Sequence, residues 1–146
     1  MTKHDSHNGF MERVYHHWNH FFFGLFSVLC GVYVLLHQGY LDDPRVTPPP
    51  PPPHFERIAF QFADDSWFAF LMIICGLVLL IGVLLESRKC RDWGLIMVAP
   101  LYGALFVAFG VRGLLDFRFN LTWVFIGLAV ALLIGTAMRG DHRHED

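Results

Sequence analysis

The histidines near the N-terminus are the first residues whose type and spacing could do chemistry. His16 and His20 are four residues apart, so on a helix they share one face, and imidazoles at this spacing can chelate a transition metal. His142 and His144 in the C-terminal tail could add ligands. No carboxylate or cysteine stands at a characteristic offset from the pair. The sequence therefore predicts no dedicated metal site, and His16 and His20 are kept only as candidates.

A charged pair lies near the end of the third apolar stretch of the chain. Arg112 and Asp116 are at i and i+4, so they can pair across one helix face. One interpretation is a local ion pair at the membrane boundary, with the long arginine side chain reaching towards water. The other is a ring of Arg112 or Asp116 around the mouth of a pore formed by an oligomer. The sequence leaves both interpretations open.

Catalytic motifs are absent from the sequence. It contains no nucleophile elbow, zinc-protease, phosphate-loop or dinucleotide-binding motif, and its three cysteines form no C-x-x-C pair. Cys30 and Cys75 fall in apolar stretches, where a thiol acts as a small apolar group, the alternative being a disulfide between two helices. The last three apolar stretches hold no histidine, which argues against a haem held between facing helices. We expect no enzyme activity and no cofactor.

Four long stretches without Asp, Glu, Lys or Arg organise the chain. A helix needs about 20 mainly apolar residues to cross the hydrocarbon core of a bilayer, and each stretch is close to that length. Four of them in 146 residues leave too little polar surface for a water-soluble coat. The sequence predicts an all-α integral membrane protein, a four-transmembrane-helix bundle with spans at 19–37, 67–85, 93–115 and 121–138. The net charge of −2 gives no reason to expect nucleic acid as a partner.

The tryptophans and the polar residues before the spans support this assignment. Amphipathic aromatic rings prefer headgroup depth at the two surfaces of a bilayer. Every tryptophan of the chain lies at an end of a predicted span, namely Trp18, Trp67, Trp93 and Trp123. Residue types that commonly cap helix N-termini stand just before three spans. We expect helices to begin directly after these residues, which are Ser66, Asp92 and Asn120.

Basic residues near the span ends predict the orientation. The loop 86–92 holds Arg88, Lys89 and Arg91, and short loops rich in Lys and Arg stay in the cytoplasm. This predicts that both termini are cytoplasmic, in a plasma or inner membrane. The remaining segments are then a cytoplasmic amphipathic segment at 1–18, an extracytoplasmic loop at 38–66, an outer turn at 116–120 and a cytoplasmic tail at 139–146.

The extracytoplasmic loop contains six consecutive prolines, Pro48 to Pro53. This run must adopt polyproline II, which rises about 3.1 Å per residue and needs no backbone partners. The residues that follow place an apolar stripe at i, i+3, i+4 and i+7, which predicts a short interfacial helix over Phe55, Ile58, Ala59 and Phe62. We interpret the prolines as a rigid spacer that positions this helix. The alternative is a ligand for a proline-binding groove.

Small residues recur at helical spacing along the predicted spans. In lipid no hydrophobic force draws helices together, so contact faces favour small residues that permit close approach. The fourth span carries Gly127, Ala131 and Gly135, each four residues after the last. These stripes fit either packing inside one bundle or contact between subunits. The candidate interface residues on the other spans are Ala99, Gly103, Gly24 and Gly31.

Two functional hypotheses follow from these patterns. The first is a small non-catalytic membrane protein that acts through helix–helix association, as a homo-oligomer or an accessory subunit, with the lipid bilayer and other membrane subunits as partners. The second is a holin-like pore-forming or membrane-permeabilising protein. A water-filled pore needs a polar stripe down one helix, and Ser27 and Thr136 are the hydroxyls we find well inside the spans. The pore therefore ranks second.

Overall fold

The computed structural model describes residues 3–38, 62–115 and 121–141, and all the regular structure in these ranges is helical. Five α-helices follow one another along the chain, and a short 3₁₀ turn at Phe62–Asp64 precedes the third. The polyproline run and nearly all of the predicted interfacial helix lie outside the described residues. The helices are α1 (Lys3–His16), α2 (Trp18–Leu36), α3 (Ser66–Leu84), α4 (Arg88–Leu115) and α5 (Thr122–Asp141).

Three of these helices are long and apolar enough to cross a membrane. They correspond to the first three predicted spans and cover Trp18–Leu36, Ser66–Leu84 and Arg88–Val111. The fourth apolar segment, Thr122–Met138, is shorter than these three. The four-span prediction is therefore matched by three long apolar helices and one shorter one.

Helix α3 lies at the centre of the arrangement, packed against α2 on one side and α4 on the other. Residues three and four apart share a helix face, and α3 buries such a face completely: Phe68, Met72, Cys75, Leu79 and Val83 are all at most 2% exposed. The stripe is buried along the whole length of α3 because neighbouring helices cover it. This fits the central position of α3 between α2 and α4.

Close backbone approach joins α2 to α3. A Cβ atom added to Gly76 would lie 2.6 Å from the carbonyl oxygen of Gly24, and one added to Gly31 would lie 2.6 Å from that of Ala69. Both distances are shorter than real Cβ contacts, so only glycine fits at these positions. Gly24 and Gly31, which the sequence predicts as interface residues, are therefore part of the internal α2–α3 contact.

Helices α4 and α5 complete the packing. Leu95 and Val98 of α4 and Leu133 of α5 form one buried cluster with Cys75 and Leu79 of α3. Helix α5 packs mainly on α4, and it buries Leu133 and Thr136 while its other face stays exposed. Helix α4 runs without interruption through Pro100.

Two of the predicted helix starts are wrong. Ser66 is the first residue of α3, and the cap position belongs to Asp65, whose carboxylate accepts a hydrogen bond from the Trp67 indole at 2.9 Å. Helix α4 begins at Arg88, so Asp92 lies inside it. Ser87 takes the capping role there, because its hydroxyl accepts from the Cys90 amide at 3.5 Å. The third predicted cap, Asn120, lies outside the described residues.

Candidate functional site

Arg13 fastens helix α1 to the end of α3. Its Nε atom lies 2.6 Å from Oε1 of Glu86, and its Nη1 atom donates a hydrogen bond of 2.9 Å to the carbonyl oxygen of Leu84. The last carbonyls of a helix lack partners inside it and carry partial negative charge, so a guanidinium is stabilising at this position. One side chain thus satisfies a helix terminus and pairs with a carboxylate in the following turn.

Glu86 adopts a backbone conformation that glycine usually supplies. Its φ angle is 53°, in the left-handed region. The Ser87 amide bonds to the Gly82 carbonyl at 3.0 Å and the Glu86 amide to that of Val83 at 3.3 Å. This is the bonding pattern of the Schellman motif, in which glycine normally occupies the position of Glu86. A residue other than glycine costs backbone strain at this position. The Glu86 side chain provides an ion pair with Arg13 that glycine could not form.

A cavity of about 560 Å³ opens beside this contact, and we name it the α1 cavity. Its lining comes from α1 and the turn after it, from the α3–α4 turn and from the first turn of α4. All of these segments lie at one end of the apolar helices, the α1 end. Within the described part of the chain, the lining residues are Glu12, Arg13, His16, His17, Glu86 and Arg91.

His17 separates α1 from α2, and its surroundings disfavour the charged imidazole. Partial burial first, and then the positive charge of Arg91, lower the pKa of His17 from 6.5 to about 4. The neighbouring His16 and His20 rings act in the same direction, while Glu86 opposes them. The ring of His17 is therefore neutral at pH 7, able to donate from one nitrogen and accept at the other.

The candidate metal pair is interrupted by the structure. Helix α1 ends at His16 and α2 begins at Trp18, so His16 and His20 do not share one continuous helix. The ring of His17 lies between them, 4.8 Å from the ring of His16 and 6.1 Å from that of His20, measured between centroids. Within the described ranges no group of three or more His, Cys, Asp or Glu residues is placed to hold a metal ion.

The polar groups among the apolar helices bond to one another. Asn19 donates to the Thr136 hydroxyl at 3.1 Å, which in turn donates to the Leu132 carbonyl at 2.8 Å. The Ser27 hydroxyl, fully buried, lies 3.4 Å from that of Tyr102. An unpaired polar group in hydrocarbon costs several kcal/mol. The hydroxyls of Ser27 and Thr136 thus serve contacts between helices inside the bundle.

The predicted small-residue stripe on α5 divides into two parts. Gly127 faces α4, because a Cβ there would lie 2.8 Å from Cε2 of Phe106. Ala131 is exposed, and a Cβ added to Gly135 would meet no atom within 4 Å. On α4, a Cβ added to Gly103 would also meet no atom within 4 Å, while Ala99 is half-buried. Internal packing therefore uses only part of this stripe.

The other predicted sites are placed as follows. Arg112 belongs to α4, but its side chain lies outside the described residues, as does Asp116, so their pairing stays a prediction. Cys30 and Cys75 are both free: Cys30 is exposed and Cys75 lies in the core. The alternative of a disulfide between these two helices is not found.

Sequence reasoning missed the α1 cavity and the half-buried Tyr102, whose hydroxyl lies near that of Ser27. By residue type alone, the charged residues of the cavity are not special. They lie outside the predicted spans, and the orientation prediction uses only Arg91 among them; these residues are Glu12, Arg13, Glu86 and Arg91. A usable signal exists, because these residues all flank the ends of predicted spans that an up-and-down helix bundle brings together. Tyr102 has a weaker signal: it is a polar-tipped residue in the middle of an apolar stretch.

Comparison of the chain with known proteins gives no relative. No protein-family model, no curated protein and no solved structure matches it. The function is accordingly inferred from the packing of the helices and from the α1 cavity.

Proposed function

We propose that the protein is a small non-catalytic membrane protein that acts by helix–helix association, as a homo-oligomer or as an accessory subunit of a membrane complex. The observation that carries this proposal is the outward position of small residues on α5 and α4. Gly24, Gly31 and Gly76 are each used in a close helix contact, whereas a Cβ atom added to Gly103 or Gly135 would have no neighbour within 4 Å.

The helix geometry of α5 supports an outward contact face. Ala131 and Gly135 are each two residues from the buried Leu133, which places them about 160° away around the helix. They therefore point away from α4. Small residues gain nothing from contact with lipid tails, but they permit close approach of another helix.

Gly103 of α4 lies near the same depth as this face. Contacts between Gly113 and Trp123 and between Phe106 and Gly127 set an antiparallel register for α4 and α5. In that register Gly103 is close to the level of Ala131. An incoming helix would thus meet small residues on two neighbouring helices at one depth, which favours a shared contact surface.

A double substitution tests the association. Ala131→Leu with Gly135→Leu adds bulk on the outward face without touching the core, so we expect the oligomer, or the complex purified from native membranes, to dissociate. Mass measurement in mild detergent reads this out, with Ala137→Leu as the control, since Ala137 is an exposed alanine of α5 outside the stripe. Unchanged mass and partner content in the double variant would overturn the proposal.

The holin-like pore remains the second candidate and ranks lower. The hydroxyls of Ser27 and Thr136 are bonded inside the bundle, so they are not available to line a water-filled path. Dye release from liposomes separates the two functions: the association hypothesis expects no leakage at high protein-to-lipid ratio, and efficient release would favour the pore.

A further inference from the structure

Only two of the four charged side chains that the structure describes in the lining of the α1 cavity form an ion pair. Of its four charged residues, Arg13 and Glu86 pair with each other at 2.6 Å. That leaves the guanidinium of Arg91 and the carboxylate of Glu12. Among the described residues, Arg91 has only a long 3.5 Å contact to the Gly82 carbonyl, and Glu12 has no ion-pair partner. The cavity thus offers one unmatched positive and one unmatched negative charge.

We propose that the α1 cavity binds a zwitterionic ligand that carries a phosphate and a primary ammonium group, the headgroup chemistry of phosphatidylethanolamine. Arg91 receives the phosphate, because a guanidinium presents paired N–H donors that match two phosphate oxygens. Glu12 receives the ammonium. His17 lies beside Arg91 and, as a neutral ring, donates a further hydrogen bond to the phosphate.

The location of the cavity favours a lipid headgroup as the source of this chemistry. Its residues come just before α2 begins, between α3 and α4, and in the first turn of α4. Trp18 and Trp93 stand at the same end with more than half of their surface exposed, as interfacial tryptophans do. Headgroup phosphates occupy this depth of a bilayer. The volume of about 560 Å³ also falls in the range of about 300–1,000 Å³ usual for small-molecule sites.

The lining discriminates between headgroups. A quaternary ammonium such as choline is bound through aromatic faces, and none of the six lining residues that the structure describes is Phe, Tyr or Trp. A primary ammonium donates hydrogen bonds, which the carboxylate of Glu12 can accept. A glycerol headgroup has no cation and would leave Glu12 unmatched. The cavity therefore fits ethanolamine better than choline or glycerol.

Binding of short-chain lipids to the full-length protein in detergent tests the proposal. We expect dihexanoyl phosphatidylethanolamine to bind at least fivefold more tightly than the phosphatidylcholine and phosphatidylglycerol of equal chain length, by calorimetric titration. O-phosphoethanolamine is the soluble comparison. If it binds as tightly as the lipid, the ligand is a free zwitterion, and if it binds more weakly, the ligand is the lipid; the proposed chemistry holds in both cases.

Two variants assign the roles of the charged residues. Glu12→Gln should remove the preference for ethanolamine over glycerol, whereas Arg91→Gln should weaken the binding of all three phospholipids about tenfold. Lys89→Gln removes a neighbouring positive charge that does not line the cavity, and it should change nothing. Equal binding of the three headgroups to the wild-type protein would overturn the proposal. This measurement does not depend on the folding of any variant. An unchanged headgroup preference in Glu12→Gln, or an unchanged affinity for all three phospholipids in Arg91→Gln, would overturn it as well.

Discussion

At the scale of single residues, the α1 end holds several unusual side chains among the residues that the structure describes. His17 resists protonation beside Arg91, and Glu86 holds a backbone angle suited to glycine. Arg13 connects α1 to the end of α3, through the Leu84 carbonyl and through Glu86 in the turn that follows. Strained or electrostatically disfavoured residues persist only where the surrounding structure fixes them, and such positions commonly coincide with functional sites.

The lowered pKa of His17 predicts that acid weakens the α1 end. The folded protein holds the pKa near 4, while the unfolded chain has the ordinary 6.5, so between these values the unfolded state binds more protons. The stabilising contribution is complete above pH 6.5 and is lost as the pH falls through 4. A titration of the His17 ring by NMR should give a midpoint near 4.

A matched pair of variants isolates this contribution. His17→Gln should lessen the fall in thermal stability between pH 6.5 and 4. His37→Gln, at the opposite end of α2 and exposed, should leave the profile as in the wild type. A midpoint near 6.5 for His17 in the folded protein would refute the prediction.

Glu86 offers a test in which backbone and side chain act in opposite directions. Glu86→Gly relieves a left-handed strain of about 1–2 kcal/mol and removes an exposed ion pair worth about 0–1 kcal/mol. We therefore expect the free energy of unfolding to stay level or rise, while α1 separates from the α3–α4 turn. Hydrogen exchange should show faster exchange of the α1 amides.

Glu86→Gln is the control for this substitution, because it keeps the backbone strain and weakens only the ion pair. It should loosen α1 without any gain in stability. Retention of wild-type protection of α1 in Glu86→Gly would show that the contact with Arg13 does not hold the helix.

At the scale of helices, glycine has two different uses in this protein. On α2 and α3 it permits backbones to touch, as the 2.6 Å approach of a Cβ on Gly76 to the Gly24 carbonyl shows. On α4 and α5 it leaves open space at Gly103 and Gly135. The spacing of the residues is similar in the two cases, so spacing alone does not distinguish an internal contact from an outward face.

Alanine substitutions should separate these two uses. Gly76→Ala forces α2 and α3 apart, since the obstructing atom belongs to a backbone that cannot turn aside, and overpacking of this kind costs about 1–3 kcal/mol. Gly103→Ala meets no atom and gains helix propensity, so stability should hold or rise slightly. Unfolding in mixed detergent micelles measures both. Equal stability of the two variants would contradict the close α2–α3 contact.

At the scale of the whole molecule, the helices form a layered arrangement with α3 inside and α5 at the edge. Large apolar side chains remain exposed on the outer faces of α2 to α5, among them Phe26, Ile74, Ile96 and Leu132. Such surfaces suit contact with lipid or with other membrane helices. Among the described residues, the polar side chains of Asn19, Ser27, Tyr102 and Thr136 are hydrogen-bonded where they meet apolar helices, as buried polar groups generally are.

The sequence by itself determined where the apolar helices lie. Their positions depend on composition over about 20 neighbouring residues, which can be taken from the sequence alone. The helix starts were less accessible: Ser87, and not Asp92, caps α4, because one hydrogen bond decides a start and several nearby residue types can make it.

Only the tertiary structure decided which small residues are used inside the protein and which polar residues meet at the α1 end. Gly31 and Gly135 have similar neighbours along the chain, and only the position of α3 beside α2 makes one of them indispensable. Arg13 comes together with Glu86 and Arg91 although more than 70 residues separate it from them along the chain. Contacts of this kind depend on the relative placement of helices, which local composition does not encode.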